Sequence, residues 1–318
     1  MRHDVQLLPF GLLILRSVSA APATLSSAIL ARDYTGYDQC SDDQKNKINQ
    51  ALSDAAVMAR QHTVDRTKDG GDTETYRSSS AYTYYFQDDE FDTGVDKMLN
   101  AIGQQSQPPA PDSGKPGAGD PITLNQFTVH ITCEDSPLCA DAGAGTKSLM
   151  ITDVKAAGDG FTPSMRFCPQ FFKADEPRTK NNLDALPYTK NPSRRQSSWC
   201  KPGMKFSSFE VAGTTVLHEL THLNEAGNRA GLASNPDGGN TGGQTQGTAD
   251  IYGTNGYSVD PETAARQLHT NWKNVIDNNL PQDQWPSYVE KLNAESYAAS
   301  ATEWWFMSTC AFDSIIGN

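Results

Sequence analysis

Residues 216–224 read VLHELTHLN, and within them His218, Glu219 and His222 form an HExxH. Residues four apart on a helix project from one face, so the two imidazoles can reach a single Zn²⁺. Glu219, next to the first of them, can face the water that such a metal holds and act as general base. That constellation is the core of a zinc peptidase. The flanks support a helix: Val216, Leu220 and Leu223 give an apolar stripe, Ser207 and Ser208 offer caps, and Gly227 offers a left-handed stop. The competing reading of the same spacing is a surface helix with two solvated histidines.

The chain has 318 residues, 37% of them apolar, enough to bury a substantial core. Twenty-six basic against 38 acidic side chains leave a net charge of −12. With a pI of about 4.9 this argues against nucleic acid or anionic membrane as a partner. The apolar run at 7–15 is too short to span a bilayer and is followed by Ser17, Val18, Ser19 and Ala20, a small-residue cleavage pattern. A secretory signal over 1–20 and an extracellular location are therefore expected. Six cysteines, Cys40, Cys133, Cys139, Cys168, Cys200 and Cys310, include no CxxC pair, and an even number in an exported chain implies three disulfides. Spacing alone leaves their pairing open.

After the signal, 21–36 reads as a mobile leader or short pro-segment, and 37–318 as one domain without internal repeats. Ser41 and Gln44 form a capping box ahead of Ile48, Leu52, Ala55 and Ala59, which predicts a helix to His62. Phe91, Val95, Met98, Leu99 and Ile102 mark a second helix. A Pro-, Gly-, Ser- and Gln-rich stretch at 104–121 reads as a mobile loop. Phe127, Val129 and Ile131 alternate with polar residues and 148–154 is a further apolar run, so a small sheet precedes the HExxH helix. Asp260-Pro261-Glu262 opens another helix carrying Ala264, Leu268 and Trp272, and a last one is expected from Trp285 towards Met307. The fold class is α+β, mainly helical with a small sheet and braced by disulfides.

A catalytic zinc needs a third protein ligand and an open position. Residues 247–253 read GTADIYG, and Asp250 is the preferred third ligand, with Glu225 and Glu295 as alternatives. This block, following HELTH, resembles the aspzincin metalloendopeptidases of the deuterolysin and peptidyl-Lys type, whose motif is HExxH followed by GTxxDxxYG. Here Asp250 follows Thr248 by two positions and Tyr252 follows Asp250 by two, one fewer than the motif in each case. The resemblance extends to Asn293, Ala294, Glu295, Ser296 and Tyr297, similar to the family's NADxY, and to the order of the cysteines. It implies a zincin-like catalytic domain with one Zn²⁺ on His218, His222 and Asp250. It further implies Glu219 as base and Tyr252 as the hydroxyl that stabilises the tetrahedral intermediate.

The resemblance also implies sequential disulfides, Cys40 to Cys133, Cys139 to Cys168 and Cys200 to Cys310. From it, Glu295 would favour Lys or Arg on the leaving side of a protein or peptide substrate. Tyr257 competes with Tyr252, and Asp250 also suits a plain turn among glycines. Tyr297, Trp304, Trp305 and Phe306 suit either a substrate groove or the core. His62, His130 and His269 lack ligand spacing. A monomer is expected. The alternative function is a secreted zinc-binding antigen or scavenger without peptidase activity, against which the intact Glu219 argues.

Overall fold

The computed structural model describes residues 34–68, 70–104, 129–140, 148–154, 163–232, 246–254 and 256–318. The expected signal at 1–20, residues 21–33 of the expected leader, Phe127, and the expected loop beyond Gln104 lie outside the described residues. Among those described, the chain runs β1 (Tyr34–Asp38), α1 (Asp42–Arg60), β2 (Arg66–Thr67), β3 (Thr73–Glu74), α2 (Ser80–Thr83), α3 (Asp96–Gln104) and β4 (Val129–Thr132). It continues with β5 (Met150–Asp153), β6 (Ser164–Phe167), α4 (Ala212–Thr221), α5 (Asn224–Ala230), α6 (Pro261–Asn278) and α7 (Ala294–Cys310). Strand β1 thus begins within the stretch read as leader.

Helix α1 forms where its sequence directs it. The Ser41 side chain accepts from the Gln44 N–H, and the Gln44 side chain accepts in return from the Ser41 N–H, so two otherwise orphaned donors are satisfied. Ile48, Leu52, Ala55 and Ala59 are all buried. The expected second helix opens with a π turn at Phe91–Val95 and continues as α3. Four strands form one sheet in the order β1-β4-β6-β5, with β1, β4 and β6 parallel and β5 antiparallel to β6. β5 therefore lies at the edge of the sheet, and it packs on α4.

α7 runs through the middle of the helical layer, and every residue from Ala294 to Met307 is buried. Ala298, Ala299 and Ala301 keep its girth small, so α1, α2, α4 and α6 all pack on it. Tyr297, Trp304, Trp305 and Phe306 belong to this buried core. Their polar tips are paired, Trp304 Nε1 donating to Gln61 O at 2.8 Å and Tyr297 OH to Lys291 O at 2.8 Å. The helix starts at Ala294 rather than near Trp285. Pro281 and Pro286 disfavour helix in the residues before them, and 285–293 is spent on a single 3₁₀ turn, Glu290–Leu292.

Three disulfides close the fold: Cys40 to Cys133, Cys139 to Cys168 and Cys200 to Cys310, the sequential pairing that the resemblance implied. The last joins the segment before α4 to the end of α7. α4 is narrower than its flanking signals suggest. Ser207 and Ser208 sit in a separate 3₁₀ turn, and Val211 is the N-cap, its N–H donating to Thr214 Oγ1. Gly227 is no helix stop, because a second helix, α5, runs through it and ends at Gly231 with φ +71°. Gly227 answers a different need: a Cβ there would lie 1.6 Å from the Gln246 carbonyl oxygen of the returning chain.

Candidate metal centre

Helix α4 carries His218 and Glu219, and its C-cap is His222. The chain departs through α5 and returns at Gln246, whose N–H donates to Asn224 Oδ1 at 2.8 Å. It then passes against the end of α4. Thr248 N–H donates to Thr221 O at 3.0 Å, and the two hydroxyls of Thr221 and Thr248 are 2.6 Å apart. Gly247 permits this approach, since a Cβ would stand 1.9 Å from His222 O. Ala249 pairs with the segment leading into α7, donating to Leu292 O at 2.8 Å and accepting from Ala294 N–H at 3.0 Å. These contacts leave Asp250 facing the two histidines.

Asp250 Oδ1 lies 3.0 Å from His218 Nε2 and 3.2 Å from His222 Nε2, and the two Nε2 atoms are 3.0 Å apart. Ligands about 2.0–2.1 Å from a tetrahedral Zn²⁺ stand roughly 3.3 Å from one another, so the three atoms fit a single ion. The tautomers agree with that use. His222 Nδ1–H donates to Thr248 O at 2.9 Å, which leaves the Nε2 lone pair free for a metal. His218 Nδ1 is 2.7 Å from Glu295 Oε1, off the line of the ring N–H, and has no hydrogen-bond partner elsewhere. A His218, His222 and Asp250 cluster that could hold a metal ion is thus present, buried at His218 and exposed at Asp250.

Electrostatics point the same way. Burial works against a charge on His218, but the carboxylates of Glu295 and Asp250 outweigh it and hold its pKa well above the usual histidine value. His222 is raised as well, burial being overcome chiefly by Asp250. Burial opposes ionisation of Asp250, but the His222 and His218 imidazoles together outweigh it and hold its carboxyl far below the usual range. Carboxylates that favour a proton on these rings also favour a divalent cation between them. The exposed side of Asp250 leaves the cluster open to solvent, unlike a closed four-ligand structural site.

Glu219 is 8% exposed, and its Oε2 accepts a 2.6 Å hydrogen bond from Thr152 Oγ1 on β5. Thr152 also contacts Glu219 O, at 3.3 Å. The Tyr252 ring centroid is 6.3 Å from that of His218, and its phenol is kept protonated, its pKa raised first by the Asp250 carboxylate and then by burial. Tyr257 packs with Tyr252 against Ile251, Ala264 and Leu268. Of the alternative ligands, Glu225 lies on α5 outside the cluster, and Glu295 meets the Nδ1 side of His218, away from Nε2. His62 and His269 are tied to Asp96 and Glu290, and His130 to Asp38. Thr152 escapes sequence reasoning because nothing local marks it, and Thr248, though part of the GT block, gains its contacts to His222 and Thr221 only through the returning loop.

Comparison of the chain with protein-family profiles, with curated proteins and with solved structures returned no match. The assignment of chemistry rests on the geometry above.

Proposed function

We propose that this protein is a secreted zinc-dependent metalloendopeptidase of zincin-like build, acting on protein or peptide substrates. The observation that carries the reading is the convergence of His218 Nε2, His222 Nε2 and Asp250 Oδ1 within 3.0–3.2 Å of one another beside the carboxylate of Glu219. A zinc held there would polarise a peptide carbonyl and lower the pKa of the attacking water towards about 7. Glu219 would serve there as the base that accepts the attacking water's proton and passes it to the leaving amine, a role that requires no Ser or Cys nucleophile. All six cysteines are in disulfides and none is free to attack. Thr152 holds the Glu219 carboxylate in place for both transfers. Tyr252, a protonated phenol whose ring lies 6.3 Å from that of His218, would be the donor to the oxyanion.

Substrate binding is supplied by the sheet. Among the described residues β5 is an edge strand packed on α4, so an extended peptide can add to its outer side through backbone hydrogen bonds and run past the metal cluster. Three disulfides, and the absence among the described residues of any helix long and apolar enough to cross a membrane, suit an extracellular role. The test is hydrolysis of unfolded casein by the full chain, with 1,10-phenanthroline and zinc add-back. Activity that the chelator abolishes and zinc restores supports a zinc endopeptidase. Tight stoichiometric zinc with no hydrolysis would replace it with zinc capture.

A further inference from the structure

We infer that Glu295 is a positioning residue for the metal centre. Its carboxylate accepts the hydrogen bond of His218 Nδ1–H, fixes that imidazole with Nε2 towards the metal, and is thereby committed to the ligand rather than to a substrate side chain. The inference rests on the metal centre proposed above and goes beyond it by assigning a residue that the ligand set does not include.

The geometry excludes the two other roles that Glu295 invites. As a ligand it would have to reach the space between the Nε2 atoms, but its Oε1 lies 2.7 Å from Nδ1, on the other edge of the same ring. As a selector of Lys or Arg it would need a carboxylate free to meet an incoming cation, whereas its side chain is 11% exposed and faced with an imidazole. The His218 nitrogen, in turn, has nowhere else to donate. It is buried, and no other group pairs with it. The carboxylate stands within reach and off the N–H axis, so a rotation about the Glu295 side chain completes the bond. His222 differs, its Nδ1 being held by the Thr248 carbonyl. One histidine is therefore anchored by backbone and the other by a charge.

The backbone makes this arrangement a unit. Ala249 bridges Asn293 by donating to Leu292 O and accepting from Ala294 N–H, and Asp250 and Glu295 immediately follow Ala249 and Ala294. One pairing thus places the third ligand on the Nε2 side of His218 and the anchoring carboxylate on its Nδ1 side. Asn293 Nδ2 donates to Ser296 Oγ at 2.9 Å and steadies the start of α7. Glu295 sits in the first turn of that helix, where the helix dipole favours a carboxylate.

The experiment measures zinc affinity by chelator competition on the full chain for the parent, Glu295→Ala and Glu295→Gln, with thermal unfolding of the zinc-free proteins beside it. Glu295→Gln keeps an acceptor of the same shape and removes only the charge, so it decides the matter should the alanine variant fail to fold. Loss of such an outer partner costs roughly 10–100-fold in metal affinity, with the glutamine variant between parent and alanine. Cleavage-site preference in a peptide library stays the same in whatever activity remains. Zinc affinity of the glutamine variant within about twofold of the parent, or a Lys/Arg preference lost at unchanged affinity, overturns the assignment. A parent that binds no zinc would instead bring down the metal-centre reading itself, and this inference with it.

Discussion

Gly247→Ala is the sharpest structural perturbation of the metal centre, because it replaces no ligand and adds one carbon. That carbon would stand 1.9 Å from the His222 carbonyl oxygen, 2.3 Å from its carbonyl carbon and 2.9 Å from its Cα. All three are backbone atoms, which no rotamer change can move aside. Real Cβ contacts are essentially never below 3.0 Å, so the returning chain and the end of α4 must part by about 1 Å. The hydrogen bonds from Thr248 N–H to Thr221 O and from His222 Nδ1 to Thr248 O cross that gap, at 3.0 and 2.9 Å. Metal–ligand distances tolerate only about ±0.2 Å, so a shift of that size removes Asp250 from the coordination sphere.

Two readouts follow. Zinc affinity falls by more than the roughly 10–100-fold attached to an outer partner. Overpacking also costs about 1–3 kcal/mol in the zinc-free protein, a Tm drop of some 2–4 °C per kcal/mol. Gly70→Ala is the control, since a Cβ at Gly70 meets nothing within 4 Å. Chelator competition and thermal scans on the three proteins decide. A Gly247→Ala protein that binds zinc as tightly as the parent and melts at the same temperature would refute the account of how Asp250 is placed.

Other expectations concern the base, the frame and the core. Thr152→Val removes the 2.6 Å hydrogen bond to Glu219 and lowers kcat roughly 3–10-fold while zinc affinity holds, measurable in steady-state casein peptide kinetics. Replacing Cys200 and Cys310 by serine frees a loop of 110 residues and costs up to about 4.7 kcal/mol by loop-closure entropy; guanidinium unfolding without any loss would contradict it. Asp54 is buried under α4, and burial pushes its carboxyl up from 3.8 to about 7 against hydrogen bonds from Leu183 N–H and the Gln50 amide. The folded chain keeps a proton there that the unfolded chain has lost, so stability falls as pH rises from about 4 to about 7 and is flat beyond. Asp54→Asn flattens that slope, by at most about 1.4 kcal/mol per pH unit, in unfolding titrations across the window.

How much was legible in the sequence varies with the range of the forces involved. The HExxH spacing announced a paired-histidine face, and the capping box at Ser41 announced α1, because both are encoded within one or two helical turns. α6 was legible for the same reason, with Asp260 accepting from the Thr263 N–H and Pro261 at the first position. The ends of α4 lie inside the limits its flanking residues predict. Ser207 and Ser208 carry capping chemistry but lie upstream of the true N-cap, and Gly227 is required by a chain that returns 19 residues later, at Gln246. α7 starts later than its apolar pattern predicts, because that pattern extends through a proline-interrupted approach. Asp250 was picked out from its local block, whereas Thr152, Thr248 and the Nδ1-side position of Glu295 depend on pairings between segments far apart in sequence. Such contacts leave no local periodicity to read.

The central claim is that His218, His222 and Asp250 hold zinc for a reaction in which Glu219 moves the proton. The direct measurement is zinc content and casein hydrolysis of Glu219→Gln beside the parent, each purified without added chelator. The account predicts equal stoichiometric zinc in both proteins, hydrolysis by the parent that 1,10-phenanthroline abolishes, and almost none by the variant. A Glu219→Gln protein that carries zinc and cleaves casein as fast as the parent would contradict it.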